Sequence, residues 1–287
     1  MPTIGECMKT YELFQSITEQ LQKAGCDSPA FDACCLFEDI GGFPRGRRLA
    51  SDDSTVDETT ADAICKAAAR RADGEPLQYI LGEWEFLDLT LKVGGGVLIP
   101  RPDTELLCET AAAHLRSYSE PAVLDLCAGS GCVGLGVWSL CRGASVTAVE
   151  LHDAALGYLR DNAARYQEAH LTVLQDDILA PKLTYGTFDA ILSNPPYIPT
   201  ADLPALMREV QHEPKTALDG DADGLRFYRA IAADWTAHLN RGGLLAVEVG
   251  IGQAADVAAL FEESGLQNVR VFRDLGGVER VVCGERQ

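Results

Sequence analysis

Along the first eighty positions the apolar residues recur every three or four places. Tyr11, Phe14, Ile17 and Leu21 share one face of a predicted helix, and Gly25 follows as its stop. A second helix is expected to open at Ser28-Pro29, where a hydroxyl cap precedes a proline suited to the first turn. A third should cover about 57–72, ahead of Gly74. At Leu87 the period shortens to two. Leu87, Leu89, Leu91 and Val93 alternate with Asp88, Thr90 and Lys92, which describes a half-buried strand. Gly94-Gly95-Gly96 then turns the chain into a short extended run, Val97-Leu98-Ile99, so a β-hairpin linker is placed within 81–104.

Beyond residue 105 strands and helices alternate. Strands are expected at 122–127, 145–150, 171–176, 188–193, 244–250, 268–273 and 280–283, and helices at 133–141, 154–165, 227–239 and 254–263. This order predicts an α/β domain over 105–287, with a mostly parallel sheet covered on both faces by helices. Only residues 274–279 separate the last two strands, too few for a parallel crossover, so the last strand should run antiparallel. Such a sheet resembles the seven-stranded, Rossmann-like fold of S-adenosylmethionine-dependent methyltransferases. The helical part, 1–80, reads as a small N-terminal domain for recognition or scaffolding.

The chain has 287 residues, enough for a large domain and a smaller one. Its formal net charge of −19 opposes general binding to a phosphate backbone, which needs closely placed cations, and disfavours a nucleic-acid substrate. Arg45, Arg47 and Arg48 form one short basic cluster, read as a solvated loop. The ten cysteines include no Cys-x-x-Cys pair, and Cys65, Cys108 and Cys283 lie in apolar stretches, so buried reduced thiols are expected. The five histidines have no zinc-like spacing, and no metal is expected. The opening Met1-Pro2-Thr3-Ile4-Gly5-Glu6 lacks a secretory pattern and no apolar run is long enough for a bilayer, which predicts a cytoplasmic protein without a membrane partner.

Candidate chemistry gathers at the ends of the predicted strands. Asp125-Leu126-Cys127-Ala128-Gly129-Ser130-Gly131 runs from a strand into a glycine turn that opens a helix, where doubly wound sheets bind ligands. Asp125 would repel a pyrophosphate but can pair with an ammonium, which favours S-adenosylmethionine over a dinucleotide. Glu150, ending the next strand, can accept ribose hydroxyls. Asp177 and Ile178, after the third, can accept from an adenine amino group and cover its ring.

Asn194-Pro195-Pro196-Tyr197 follows the fourth strand. An amide nitrogen is a poor nucleophile because its lone pair is delocalised, and two fixed acceptors holding both N–H bonds would localise it. The Asn194 side-chain oxygen and the Pro195 carbonyl can supply them, with the prolines fixing the carbonyl direction and Tyr197 offering a flat face. These four residues are the candidate catalytic and substrate-binding set, and no general base is required. The motif alone leaves a planar nitrogen of protein or adenine open.

With Gly74-Glu75-Pro76-Leu77-Gln78-Tyr79-Ile80, Ile99-Pro100-Arg101-Pro102-Asp103-Thr104-Glu105, Glu213-Pro214, Asp223-Gly224-Leu225 and Glu248-Val249-Gly250 added, the chain resembles the HemK-like protein-(glutamine-N5) methyltransferases. The resemblance implies methylation of the glutamine in the Gly-Gly-Gln loop of class 1 peptide chain release factors, which the helical domain helps to hold. It implies that Cys127 to Gly131 and Glu150 bind the donor and that Pro100 to Glu105, Arg101 and Pro102 among them, cover it. Cys127 departs from the family pattern, where glycine is more usual, and Glu150 stands where aspartate is more often found. Methylation of another protein's glutamine or of adenine, and a noncatalytic donor-binding scaffold, are the alternatives.

Overall fold

The computed structural model describes residues 8–287, so the opening segment read above for a leader lies outside the described residues. The chain divides into two compact units. One comprises Met1–Gly82 with Arg208–His212, and the other Glu83–Met207 with Glu213–Gln287.

The first unit is helical: α1 Thr10–Lys23, α2 Pro29–Cys35, α3 Glu58–Ala72 and α4 Leu77–Leu81. Leu13, Phe14, Ile17 and Leu21 of α1 are buried, as their spacing requires. Phe14 meets Phe37 edge-on, with ring centroids 5.6 Å apart. Pro29 starts α2, but Ser28 makes no side-chain cap. Its φ of −131° and ψ of 61° lie outside the extended geometry that folds a cap hydroxyl onto the first turn. Asp57 does cap α3, accepting from the Thr60 N–H at 3.0 Å. The short α4 was not expected; Leu77 and Ile80 anchor it, and Gly82 at φ 81° ends it. Arg47 is tied locally, paired with Asp52 and stacked 5.0 Å from the Phe43 ring. Buried Arg71 bonds Asp32 at 2.8 Å and Glu209 at 2.9 Å.

The second unit begins with a hairpin of β1 Glu83–Phe86 and β2 Leu89–Lys92. This corrects the expected pairing. Leu87 sits in the turn at φ 52° instead of in a strand, and the run Val97-Leu98-Ile99 forms no strand. The Ile99 N–H, which a strand would spend on a neighbour, is taken by the Glu213 carboxylate at 3.0 Å.

The remainder is α5 Pro102–Leu115, β3 Ala122–Leu126, α6 Cys132–Leu140, β4 Ser145–Glu150, α7 Asp153–Arg165, β5 Thr172–Gln175, β6 Phe188–Ser193, α8 Arg226–Ala230, β7 Leu239–Glu248, α9 Ala254–Glu263, β8 Gln267–Arg273 and β9 Glu279–Glu285. The seven strands β3 to β9 form one sheet in the order β5-β4-β3-β6-β7-β9-β8. Strand β9 is antiparallel to both neighbours, as the short connection demanded, while β3 to β7 pair parallel. One face carries Val123, Leu192 and Ala246 against α5 and α6; the other carries Leu124, Ile191 and Val247 against Tyr228, Trp235 and α9. The helix expected at 227–239 is α8 followed by a π-turn at Ile231–Trp235 and a 3₁₀ turn, and β7 starts earlier than expected, at Leu239, which pairs with Phe188. No helix among the described residues is long and apolar enough to cross a membrane. Cys108 and Cys283 are buried, but Cys65 is exposed.

Replacing Arg71 by Met should destabilise the full chain by about 3 kcal/mol at neutral pH, because it strands the Asp32 carboxylate in the interior. The loss should shrink in acid, since burial already raises the Asp32 pKa and a neutral carboxyl tolerates the interior. Urea titrations at both pH values measure the two.

Candidate active site

The sheet's connectivity decides where a ligand fits. From β3 the chain passes to β4 on one side and later to β6 on the other, so a crevice opens beyond their carboxyl ends. A cavity of about 520 Å³ lies there.

The chain leaves β3 through Cys127 at φ 60°, a left-handed conformation that costs a residue with a Cβ about 1 kcal/mol. Gly129 at φ 56° continues the turn, and Gly131 at φ 84° precedes α6. The loop is pinned by two backbone donors: the Ala128 N–H to the Val149 carbonyl at 3.0 Å and the Gly129 N–H to Glu150 at 2.9 Å. Cys127, Ala128, Gly129 and Ser130 line the cavity. Gly131 does not; a Cβ there would meet Leu159 of α7 at 2.7 Å.

Asp125 does not line the cavity either. It is fully buried, and one oxygen accepts the Gly134 N–H at 2.8 Å, which secures the start of α6. Burial pushes its carboxyl up to about 7. Its other oxygen, Oδ1, is buried with no hydrogen-bond partner among the described residues.

Glu150 lines the cavity and already accepts three backbone donors, from Gly129, Leu151 and His152 at 2.8–2.9 Å. An ionised carboxylate has about four acceptor positions, which leaves room for roughly one more donor. Asp177 and Ile178 line the far wall. Asp177 accepts from the Leu179 N–H at 2.9 Å, and the Ile178 carbonyl accepts from the Trp235 indole at 3.0 Å. Beside them on the wall, Asp176 gathers the Lys182 and Leu183 N–H groups and the Tyr185 hydroxyl; burial opposes its charge, but these donors outweigh it and hold its pKa down. Arg101 also lines the cavity, ion-paired to buried Glu213, whereas Pro102 is exposed at the first position of α5.

Strand β6 ends beside β3, with Ser193 in register with Leu126 and its hydroxyl donating to the Leu126 carbonyl at 2.7 Å. Asn194 is thus set next to the glycine turn, and it and Pro196 line the cavity. Pro195 is buried, and Tyr197 is half-buried against Gly250. The motif loop is held by neighbours. Gln253 donates to the Tyr197 carbonyl at 2.9 Å, Ile198 pairs with Leu218 and Gly220 at 2.8 Å, and a side chain at Gly224 would collide with Tyr197.

The Asn194 amide is held at one end only. Its Nδ2 donates to Thr104 Oγ1 at 3.1 Å, and that hydroxyl donates to Glu248 Oε2 at 2.5 Å. Its Oδ1 is buried with no hydrogen-bond partner among the described residues. Glu248 is buried too, which pushes its carboxyl up to about 7. Thr104 and Glu248 stand in stretches that carry the family resemblance, Thr104 among the residues expected to cover the donor, but neither is assigned a chemical role by the sequence, although an acid inside the apolar run of β7 was a usable signal. Val97, Thr216 and Phe227, also on the cavity wall, carried no chemical signature. Among the described residues no group of side chains could hold a metal ion.

A seven-stranded mixed sheet of this order, with a glycine turn and acidic strand ends around one crevice, defines a Rossmann-like methyltransferase. The same fold is seen in the hMettl16 catalytic domain, with a TM-score of 0.56 at 14% identity over 90% of this chain and 91% of that one. The family model described as PrmC N-terminal domain matches residues 12–82, and one described as Conserved hypothetical protein 95 matches 79–220. Release factor glutamine methyltransferase of Geobacter sulfurreducens is 45% identical over 77% of this chain and 78% of its own length. That of Gloeobacter violaceus is 44% identical over 89% and 90%. The chain belongs to the release factor glutamine methyltransferase family.

Glu150→Ala should weaken donor binding by about tenfold or more, because it removes both a wall carboxylate and the acceptor for three loop N–H groups. Isothermal titration with S-adenosylmethionine reads this. Unchanged affinity would mean that Glu150 serves the backbone alone.

Proposed function

We propose that the protein transfers a methyl group from S-adenosylmethionine to the side-chain amide nitrogen of the glutamine in the Gly-Gly-Gln loop of class 1 release factors. The observation that carries this reading is the buried, unpartnered Asn194 Oδ1 on the wall of the cavity. Family membership supports the glutamine over adenine, and the net charge of −19 weighs the same way.

The cavity fits the donor in its chemistry. Glu150 and Asp177 offer acceptors to ribose and adenine, Ile178 an apolar cover, and the Cys127 to Ser130 turn a close backbone. When bound, S-adenosylmethionine supplies an electrophilic methyl group. Asn194 Oδ1 and the Pro195 carbonyl accept the two N–H bonds of the incoming amide and turn its lone pair towards that methyl. As positive charge develops on the nitrogen both hydrogen bonds strengthen, so they stabilise the transition state more than the ground state. The methylated nitrogen is acidic and gives its proton to water, with no base needed from the chain. Tyr197 remains a neutral phenol, since burial raises its pKa, and offers its ring to the planar amide.

The proposed organisation is a recognition domain through residue 80, a hairpin linker at 81–104 and the methyltransferase domain at 105–287. The match of the first segment to the PrmC N-terminal domain model supports its part in holding the release factor. A cytoplasmic site of action suits such a partner.

With labelled donor, a release factor should gain one methyl, and the same factor with its loop glutamine replaced should gain none. Label persisting in that control would overturn the reading. Asn194→Ala should lower turnover by about a hundredfold or more while donor affinity changes by less than about threefold. Equal losses in both would make Asn194 chiefly a donor contact.

A further inference from the structure

We infer that Thr104 and Glu248 form a hydrogen-bond relay that fixes which way the Asn194 amide faces, and so act as positioning residues for the acceptor glutamine; this rests on the role of Asn194 proposed above. A primary amide has an accepting end and a donating end of nearly the same shape, and a half-turn about its last bond exchanges them. Turned one way, Asn194 offers the incoming amide an acceptor. Turned the other way it would set one NH₂ group against another.

The relay removes that choice. Thr104 has a single hydroxyl proton, and the ionised Glu248 carboxylate can only accept it, at 2.5 Å. Only lone pairs are then left at Thr104 Oγ1, so Asn194 must present Nδ2 to it, as it does at 3.1 Å. The oxygen is left for substrate. The network ties α5, β6 and β7 together through the donating end of the amide alone. The other end is buried without a partner.

The polarity depends on the charge of Glu248. If Glu248 takes up a proton it can donate to Thr104, whose own proton then becomes free to bond the Asn194 oxygen. Turnover should therefore fall as pH drops below about 7. The Asn194 amide also faces the Glu248 carboxylate directly and favours its charged form, as Thr104 does; the titratable and charged groups around it are Asp103 of α5, paired with Arg280 of β9 at 2.8 Å, together with Tyr197, Tyr228, Cys108 and Cys132. Burial keeps both phenols and both thiols protonated in this range, and Arg280 stays charged. Asp125, also pushed to about 7, is a confounding group, and it remains in place when Glu248 is replaced.

The test uses the full chain, S-adenosylmethionine and an intact release factor, with kcat and KM measured across pH and donor affinity measured by calorimetry. Thr104→Val should lower kcat by about tenfold or more, with KM and donor affinity within about threefold. Thr104→Ser, which keeps the hydroxyl, should recover most of the turnover. Glu248→Gln should lose the acidic limb of the kcat profile. Full turnover in Thr104→Val, equal failure of the Val and Ser variants, or an acidic limb that persists in Glu248→Gln would each overturn the relay. The unsubstituted chain is the control: if it leaves the release factor unmethylated, the reading of function fails, and the variants are not what decided it.

Discussion

Parallel pairing of β3 with β6 is the constraint on which the site depends. Leu126 and Ser193 are in register, and the Ser193 hydroxyl holds the Leu126 carbonyl, so two loops far apart in sequence leave the sheet side by side. The strand ends are buried on both faces, which leaves the loops little freedom to drift apart. On one side Glu150 gathers the glycine turn through backbone donors; on the other Gln253 and the 218–224 segment grip the proline motif. Methyl transfer asks for such rigidity, since donor and acceptor atoms must be aligned before they react.

Much of this was legible in the sequence because the signals were local. The alternation of strands and helices gave the sheet, and the short stretch 274–279 gave the direction of its last strand. Asn194, Cys127, Glu150 and Asp177 were legible because strand ends in such sheets face one crevice. The hairpin was not read correctly. A period of two continued through Leu87, but a turn there accepts a left-handed leucine, while the glycine-rich run after Val93 looked like the hairpin turn and instead leads, through Gly96, into the cavity wall. Nor did the sequence reveal that Asp125 spends one oxygen on the Gly134 N–H at the start of α6, because that bond exists only once the helix has folded back onto the strand.

Thr104 and Glu248 show a different limit. An acid in the apolar run of β7 marks Glu248 as unusual, but no spacing in the chain relates it to Thr104, since they are 144 residues apart. Their connection arises only when α5 packs beside β6 and β7. Chemical roles that consist of turning another side chain leave little trace in composition or motif.

The first unit carries a consequence for biosynthesis. Its buried Arg71 is neutralised by Asp32, 39 residues earlier, and by Glu209, 138 residues later. During synthesis the N-terminal helices can gather as soon as they are made, but until position 209 has been translated Arg71 has one carboxylate in place of two. The ribosome must pass β3 to β6 before the N-terminal core reaches its final electrostatic balance. The first domain to be made therefore gains its last ion pair only after four of the seven sheet strands have been made.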